Sequence, residues 1–227
     1  MTPTLVLVHG AWHGSWCWER LAEELAGDDL RVRAVDLPSV GPALGDLGDD
    51  IATVRAAIDA AEGPVVVMAH SYGGVPASGA VADAGDVRHV IYLAAFVIDA
   101  GESLLGLRGG VPPDWWEFSA DGRTATPRDP VAVFYADCDP DDARAAAARL
   151  RPQHGAVFRQ PLERAGWHDL ATTYVVCDAD RAIAPALQER MAARAGTVHH
   201  LPTGHSPFLA APAAVAGIVR DVVAGVA

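Results

Sequence analysis

Apolar and polar positions follow two periodicities along the chain, and these predict its secondary structure. Short apolar runs rich in β-branched residues indicate buried strands at residues 4–8, 31–35, 64–69, 89–94, 173–177 and 197–201. Between these runs, apolar residues recur at spacings of three and four, which indicates helices that pack by one face. We expect Ser15 to cap the first helix. The chain thus alternates between strand and helix.

This alternation predicts an α/β fold with a mainly parallel, six-stranded, doubly wound sheet. It breaks between about residues 97 and 165, where Gly, Pro and paired aromatics surround one clear helix near residues 141–150. We therefore expect one domain, residues 1–227, with a cap insertion at about 97–165. Ligands of such sheets bind at the carboxyl ends of the strands, and the insertion would cover that edge.

Composition and charge restrict the possible partners. The 227 residues are 51% hydrophobic and carry a net charge of −12, which argues against nucleic acid or an anionic membrane as a partner. The absence of lysine excludes Schiff-base chemistry on a side chain. We expect a small-molecule substrate and a monomer or homodimer.

Cysteine usage and the start of the chain suggest a cytoplasmic location. Cys17, Cys138 and Cys177 are odd in number and widely spaced, which is typical of free thiols in a reducing compartment. No basic leader or long apolar segment precedes the first strand. We therefore expect a cytoplasmic protein.

A serine between small residues follows the third apolar run. The segment Ala69-His70-Ser71-Tyr72-Gly73 leads from a predicted strand into a small-residue-rich helix. That is the strand–turn–helix context of a nucleophile elbow, in which close packing requires small residues two positions before and after the serine. Ser71 is therefore the candidate nucleophile, and the alternative is a serine that only caps a helix.

A serine nucleophile needs an imidazole base and a carboxylate that orients it. His205 lies just after the last predicted strand, in a loop that can bring it to the serine. His199 and His200 lie within that strand, and we expect them to be structural. Asp178 and Asp180 both follow the fifth strand, and the residues alone leave the choice between them open.

An oxyanion hole requires two backbone N–H donors. Tyr72, next to the serine, and Ala11, in the loop after the first strand, are the expected donors. The same loop lacks the glycine spacing of a dinucleotide fingerprint, and the chain has no Walker loop or H-E-x-x-H motif. We therefore expect neither cofactor nor metal.

Aromatic residues near these motifs are candidate pocket residues. Trp12 and His13 belong to the loop after the first strand, which carries the Ala11 donor and is called the donor loop below, and they could line the pocket. The insertion contributes further aromatics, which either line an apolar substrate pocket or form the small core of the cap: Trp115, Trp116, Phe118, Phe134 and Tyr135.

These motifs together resemble the α/β-hydrolase superfamily, and most closely the branch of plant methyl esterases, hydroxynitrile lyases and small bacterial esterases. The resemblance rests on residues 9–18, 70–74, 177–183 and 204–205. It implies that Asp180 is the catalytic acid. The lyases of this branch carry a threonine and a lysine at positions that match Gly10 and Ser206 here, which favours an esterase.

The resulting hypothesis is a serine hydrolase that cleaves a carboxylic ester or lactone through an acyl-enzyme intermediate. Two alternatives remain, a lyase or tailoring enzyme of secondary metabolism on the same fold, and a non-catalytic small-molecule receptor.

Overall fold

The computed structural model describes residues 1–226. Its strands are β1 (Thr4–Val8), β2 (Arg31–Val35), β3 (Val65–His70), β4 (Val87–Leu93), β5 (Trp116–Phe118), β6 (Thr124–Pro127), β7 (Gln153–His154), β8 (Ala171–Cys177) and β9 (Thr197–Leu201). Its α-helices are α1 (Glu19–Glu24), α2 (Leu47–Asp59), α3 (Gly74–Ala80), α4 (Pro130–Phe134), α5 (Pro140–Ala148), α6 (Pro185–Ala192), α7 (Pro207–Ala210) and α8 (Pro212–Ala224). Short 3₁₀ helices span Ser15–Trp18, Ser71–Gly73, Gly106–Arg108, Gly155–Phe158 and Gly166–Asp169. Within residues 1–226, no helix is long and apolar enough to cross a membrane.

The main sheet confirms the predicted fold class. In the described part of the chain it has six strands in the order β2-β1-β3-β4-β8-β9, and every neighbouring pair is parallel. The predicted strands agree with the observed ones to within two residues at each end. Parallel pairing places the ends of β1, β3, β8 and β9 along one edge of the sheet, so the loops that follow them lie near one another.

Apolar residues of the central strands supply both faces of the sheet. Alternate side chains of β3 point to opposite sides, so Val67 packs with α2 and α3 while Met68 packs with α1 and α8. Every residue of β1 and β3 is buried. A strand covered on both faces favours the continuous Val-rich sequence seen here over strict alternation.

The insertion between β4 and β8 contains a second, antiparallel sheet in the order β5-β6-β7, together with α4 and α5. The sequence predicted the helix near 141–150, observed as α5 at Pro140–Ala148, but not the small sheet. Trp12 joins this cap to the loop after β1: its indole N–H donates to Ala125 O at 2.8 Å, and its carbonyl accepts from Arg151 N at 3.0 Å.

The start of the first helix differs from the prediction. Ser15 is not the helix cap: it is the first residue of a 3₁₀ turn, and Gly14 occupies the cap position. The backbone N–H and the hydroxyl of Ser15 instead donate to Asp36 at 2.8 and 3.0 Å. We expected the Ser15 side chain to accept a hydrogen bond from the start of the helix. Instead, the carboxylate of Asp36, just after β2, accepts hydrogen bonds from Ser15.

Candidate active site

Three of the loops that follow parallel strands bring the predicted reactive side chains together. Ser71 follows β3, Asp180 lies in the loop after β8, and His205 lies in the loop after β9. All three are nearly buried, with exposed fractions of 8%, 6% and 2%. Residues separated by more than a hundred positions thus meet at one edge of the sheet.

The turn at Ser71 has the strained backbone of a nucleophile elbow. Ser71 has φ = 52°, in the left-handed region that non-glycine residues rarely adopt. The helix that follows is very close to the loop after β1, because a Cβ on Gly73 would lie 2.8 Å from Val8 O and closer still to His9 O. Position 73 therefore requires a glycine because the backbone there contacts the backbone of Val8 and His9.

The side chains form a continuous hydrogen-bonded chain. The Ser71 hydroxyl lies 3.1 Å from His205 Nε2, and His205 Nδ1 lies 2.7 Å from Asp180 Oδ2. With a proton on Nδ1 donated to the carboxylate, Nε2 is free to accept the hydroxyl proton of Ser71. This order of contacts permits removal of that proton by the imidazole.

Asp180 is held by three donors besides His205. Its Oδ1 accepts from the backbone N–H groups of Ala182 and Ile183 at 2.7 and 2.9 Å, and its Oδ2 accepts from the Gln188 amide at 2.8 Å. Charge-assisted hydrogen bonds of this kind stabilise a buried carboxylate and fix its direction. The sequence did not predict a role for Gln188 on α6, because an isolated glutamine on a helix belongs to no recognisable motif.

Asp178 occupies a different environment. Its side chain is exposed and lies 2.9 Å from the ring of His200, which is also exposed. The structure therefore brings Asp180 to His205 and leaves Asp178 at the surface.

His70 contacts the backbone of His205. Its Nε2–H donates to the main-chain oxygen of His205 at 2.8 Å, and the two ring centroids lie 4.6 Å apart. Burial lowers the pKa of His70 well below its ordinary value, so the ring is neutral at physiological pH. His70 therefore helps to fix the backbone of the loop that carries His205.

Within the described residues, the Ala11 N–H has no backbone acceptor outside regular elements, and Tyr72 lies in the first turn of the 3₁₀ helix after β3, where N–H groups have no partner within the helix. The peptide that carries the Ala11 N–H is fixed from its other side, because His9 Nδ1–H donates to Gly10 O at 2.8 Å. His9 Nε2 in turn accepts from Leu37 N at 3.0 Å. Burial lowers the pKa of His9 to about 4, which keeps the ring in the neutral form that makes both contacts.

His13 makes a similar pair of contacts. Its Nδ1–H donates to Ala11 O at 2.7 Å, and its Nε2 accepts from the Tyr135 hydroxyl at 2.8 Å. Burial lowers the pKa of His13 to about 3. We predicted that His13 lines the pocket, but it is not among the residues that line the pocket beside Ser71; both of its ring nitrogens are engaged in holding the donor loop to the cap.

A buried polar network supports the same loop and the elbow. The Tyr72 hydroxyl donates to Asp50 at 2.6 Å, and Asp50 also accepts from the N–H and hydroxyl of Ser39 at 2.9 and 2.6 Å. Gln153 of the cap donates to the Ser39 hydroxyl at 2.9 Å and accepts from Trp12 N at 3.1 Å. The network therefore connects the residue after the serine to the donor loop through the cap.

Ser71 and His205 line a narrow pocket whose wall is largely aromatic. The other lining residues are Ala11, Trp12, Tyr72, Phe96, Leu104, Arg108, Pro113, Trp115, Trp116, Phe134, Phe158, Ala182 and Ile183. Trp12, Trp115, Trp116 and Phe134 were predicted to line a pocket. Their rings also pack on each other, with centroids 5.2 to 5.8 Å apart, so they act as pocket wall and cap core together.

The sequence profile described as "Alpha/beta hydrolase family" matches residues 5–218. A carbendazim hydrolyzing esterase from Nocardioides is 33% identical over 180 residues, covering 71% of this chain and 73% of its own. Methylesterase 7 from Arabidopsis thaliana is 35% identical over 106 residues, covering 41% of this chain and 40% of its own.

A pyrethroid hydrolase from Sphingobium faniae has the same fold. Its crystal structure superposes with a TM-score of 0.86 at 21% identity, and covers 99% of this chain and 98% of its own. The fold, the matched span and the relatives confirm the resemblance stated from the motifs. The chain belongs to the α/β-hydrolase family.

Proposed function

We propose that this protein is a serine hydrolase that cleaves a carboxylic ester. In this proposal Ser71 is the nucleophile, His205 the general base and acid, and Asp180 the carboxylate that orients the imidazole. The backbone N–H groups of Ala11 and Tyr72 form the oxyanion hole. The observation that carries the proposal is the hydrogen-bonded chain from Ser71 through His205 to Asp180, with distances of 3.1 and 2.7 Å.

The reaction has two halves. In the first, Ser71 Oγ attacks the ester carbonyl while its proton passes to His205 Nε2, and the tetrahedral oxyanion accepts from the two backbone N–H groups. The C–O bond to the alcohol then breaks, and the alcohol leaves with the proton from His205. In the second half, water gives a proton to His205 and attacks the acyl-enzyme, and Ser71 regains its proton as the acid departs.

The pocket and the relatives support an ester with an apolar part. The aromatic wall of the pocket favours a flat or hydrophobic group, since most of its lining is apolar. A methylesterase among the relatives supports an ester of a small alcohol. The proposal includes a single domain, residues 1–227, in which the insertion at about 97–165 acts as the cap that selects this group.

A panel of methyl and aryl esters, with lactones as a second group, tests this function. Wild-type protein should hydrolyse members of the ester panel, and Ser71→Ala should lower kcat by about 10⁴-fold or more. Ser78→Ala is the matched control, because Ser78 lies on α3 with its hydroxyl bonded to Gly74 O. If Ser71→Ala hydrolysed any of these esters at the wild-type rate, the proposal would be contradicted.

A further inference from the structure

The pocket beside Ser71 contains one permanently charged side chain. Arg108 is its only Arg, Asp or Glu among the described lining residues; the other lining groups are apolar or aromatic apart from Ser71 and His205. An always-charged guanidinium is an unusual component of an aromatic wall, because removal of a charge from water is costly unless a counter-charge is present.

Arg108 lacks that counter-charge within the described part of the chain. No carboxylate lies within ion-pair distance, and its buried Nε has no hydrogen-bond partner. Arg108 is partly exposed, and the buried part of the side chain lowers the pKa of the guanidinium because water is removed from it. Arg194 provides a contrast, since its half-buried guanidinium donates to both oxygens of Glu102 at 2.8 and 3.1 Å.

The backbone under Arg108 is fixed. It ends the 3₁₀ turn Gly106–Arg108, and its N–H donates to Leu105 O at 3.0 Å. Leu105 N donates in turn to Phe158 O at 2.9 Å, which ties the turn to a pocket residue. The guanidinium is thus carried on an anchored segment at the pocket.

We propose that Arg108 selects substrates that carry a carboxylate in addition to the ester. The inference rests on the proposed ester hydrolysis at Ser71 and names its substrate class, a half-ester of a dicarboxylic acid. The aromatic wall would hold the hydrocarbon between the two ends, and the guanidinium would donate paired N–H···O bonds to the carboxylate. The net charge of −12 repels an anionic substrate at long range. The proposed attraction to Arg108 therefore acts at short range, inside the pocket.

Matched ester pairs test this selection. The probes are monomethyl esters of straight-chain dicarboxylic acids from succinate to suberate, each beside its dimethyl diester, and monomethyl and dimethyl terephthalate as the aromatic pair. Binding to Ser71→Ala is followed by tryptophan emission, since three tryptophans line the pocket. The second measurement is steady-state turnover by protein that retains Ser71.

The variants are Arg108→Gln, Arg108→Lys and, as a matched control, Arg33→Gln on the exposed face of β2. In the Ser71→Ala background, Arg108→Gln should weaken binding of the best monoester roughly tenfold and leave the diester unchanged. Arg108→Lys should retain part of the preference, and Arg33→Gln all of it.

Two results would overturn the inference: equal affinity for monoester and diester at every chain length, or an unchanged preference in Arg108→Gln. Failure of the proposed function looks different. It would appear as absence of turnover for both members of every pair, while the binding preference and its dependence on Arg108 persist.

Discussion

The Tyr72 hydroxyl donates a 2.6 Å hydrogen bond to Asp50, a carboxylate with no exposed surface. Three donors, two of them from Ser39, stabilise the ionised form of Asp50. Burial has the larger effect and raises the pKa of Asp50 from 3.8 to about 6. The residue beside Ser71 is therefore held by an acid whose ionisation opposes folding.

This gives a pH dependence of stability with a defined sign. The folded state holds the Asp50 proton between pH 3.8 and about 6, where the unfolded state has lost it, so wild-type stability falls as pH rises through that window. Relative to Asp50→Asn, wild type should lose about 2 kcal/mol of unfolding free energy between pH 4 and 7. Urea denaturation of both proteins across this range measures the difference, and a constant difference would contradict the assignment.

The two aspartates after β8 should differ sharply in kinetics. Asp180→Asn keeps the size of the side chain but removes the charge that stabilises the protonated imidazole, so kcat should fall by about 10³ to 10⁴-fold. Asp178→Asn, two residues earlier in the same loop, should change kcat by less than about twofold, because the Asp178 carboxylate is hydrogen-bonded only to an exposed histidine among the described residues. Similar losses in the two variants would rule out Asp180 as the specific partner of His205.

His9 should affect turnover rather than substrate binding. Replacement by alanine frees the Gly10–Ala11 peptide, whose N–H is the proposed oxyanion donor, and leaves Leu37 N without its acceptor. We expect His9→Ala to lower kcat by about 10 to 100-fold with little change in KM. His200→Ala, at an exposed ring, is the control. A change confined to KM would indicate that His9 does not position the donor.

Close backbone contact at the elbow predicts a steric effect on stability. A Cβ at position 73 collides with the carbonyls of Val8 and His9, neither of which is a flexible side chain, so Gly73→Ala should lose at least about 2 kcal/mol. Gly217 on α8 has open space at the same atom, and Gly217→Ala should gain about 0.5 to 1 kcal/mol from helix propensity. Equal effects in the two variants would show that the elbow relaxes around the methyl group.

The main sheet and the elbow could be predicted because local pattern determines them. The Val-rich run of β3 is buried on both faces, and the small residues around Ser71 reflect a contact that the motif itself requires. Local pattern does not decide between Asp178 and Asp180, because both are aspartates in the same loop. What separates them is the direction of the side chain, and the N–H groups of Ala182 and Ile183 fix that direction for Asp180.

The cap and the buried network depend on contacts that no local pattern contains. Strands β5, β6 and β7 are two to four residues long, too short for an alternation to be recognised. Gln153 reaches Ser39 and Trp12 across more than a hundred residues of sequence. The orientation of His13 likewise depends on Tyr135 of the cap, whose hydroxyl contacts its ring. The position of His13 in the donor loop suggested a pocket residue, but this contact could not be read from the sequence.

Covalent labelling with a fluorophosphonate tests the central claim most directly, because such a probe reacts much faster with a serine activated by a neighbouring base than with an ordinary hydroxyl. Intact-mass measurement of wild-type protein should show one added phosphonyl group, and peptide mapping should place it on Ser71. His205→Ala should react much more slowly, and Ser71→Ala should remain unmodified. Wild-type protein that stays unlabelled, or a label carried by another residue, would contradict the assignment of Ser71 as the nucleophile.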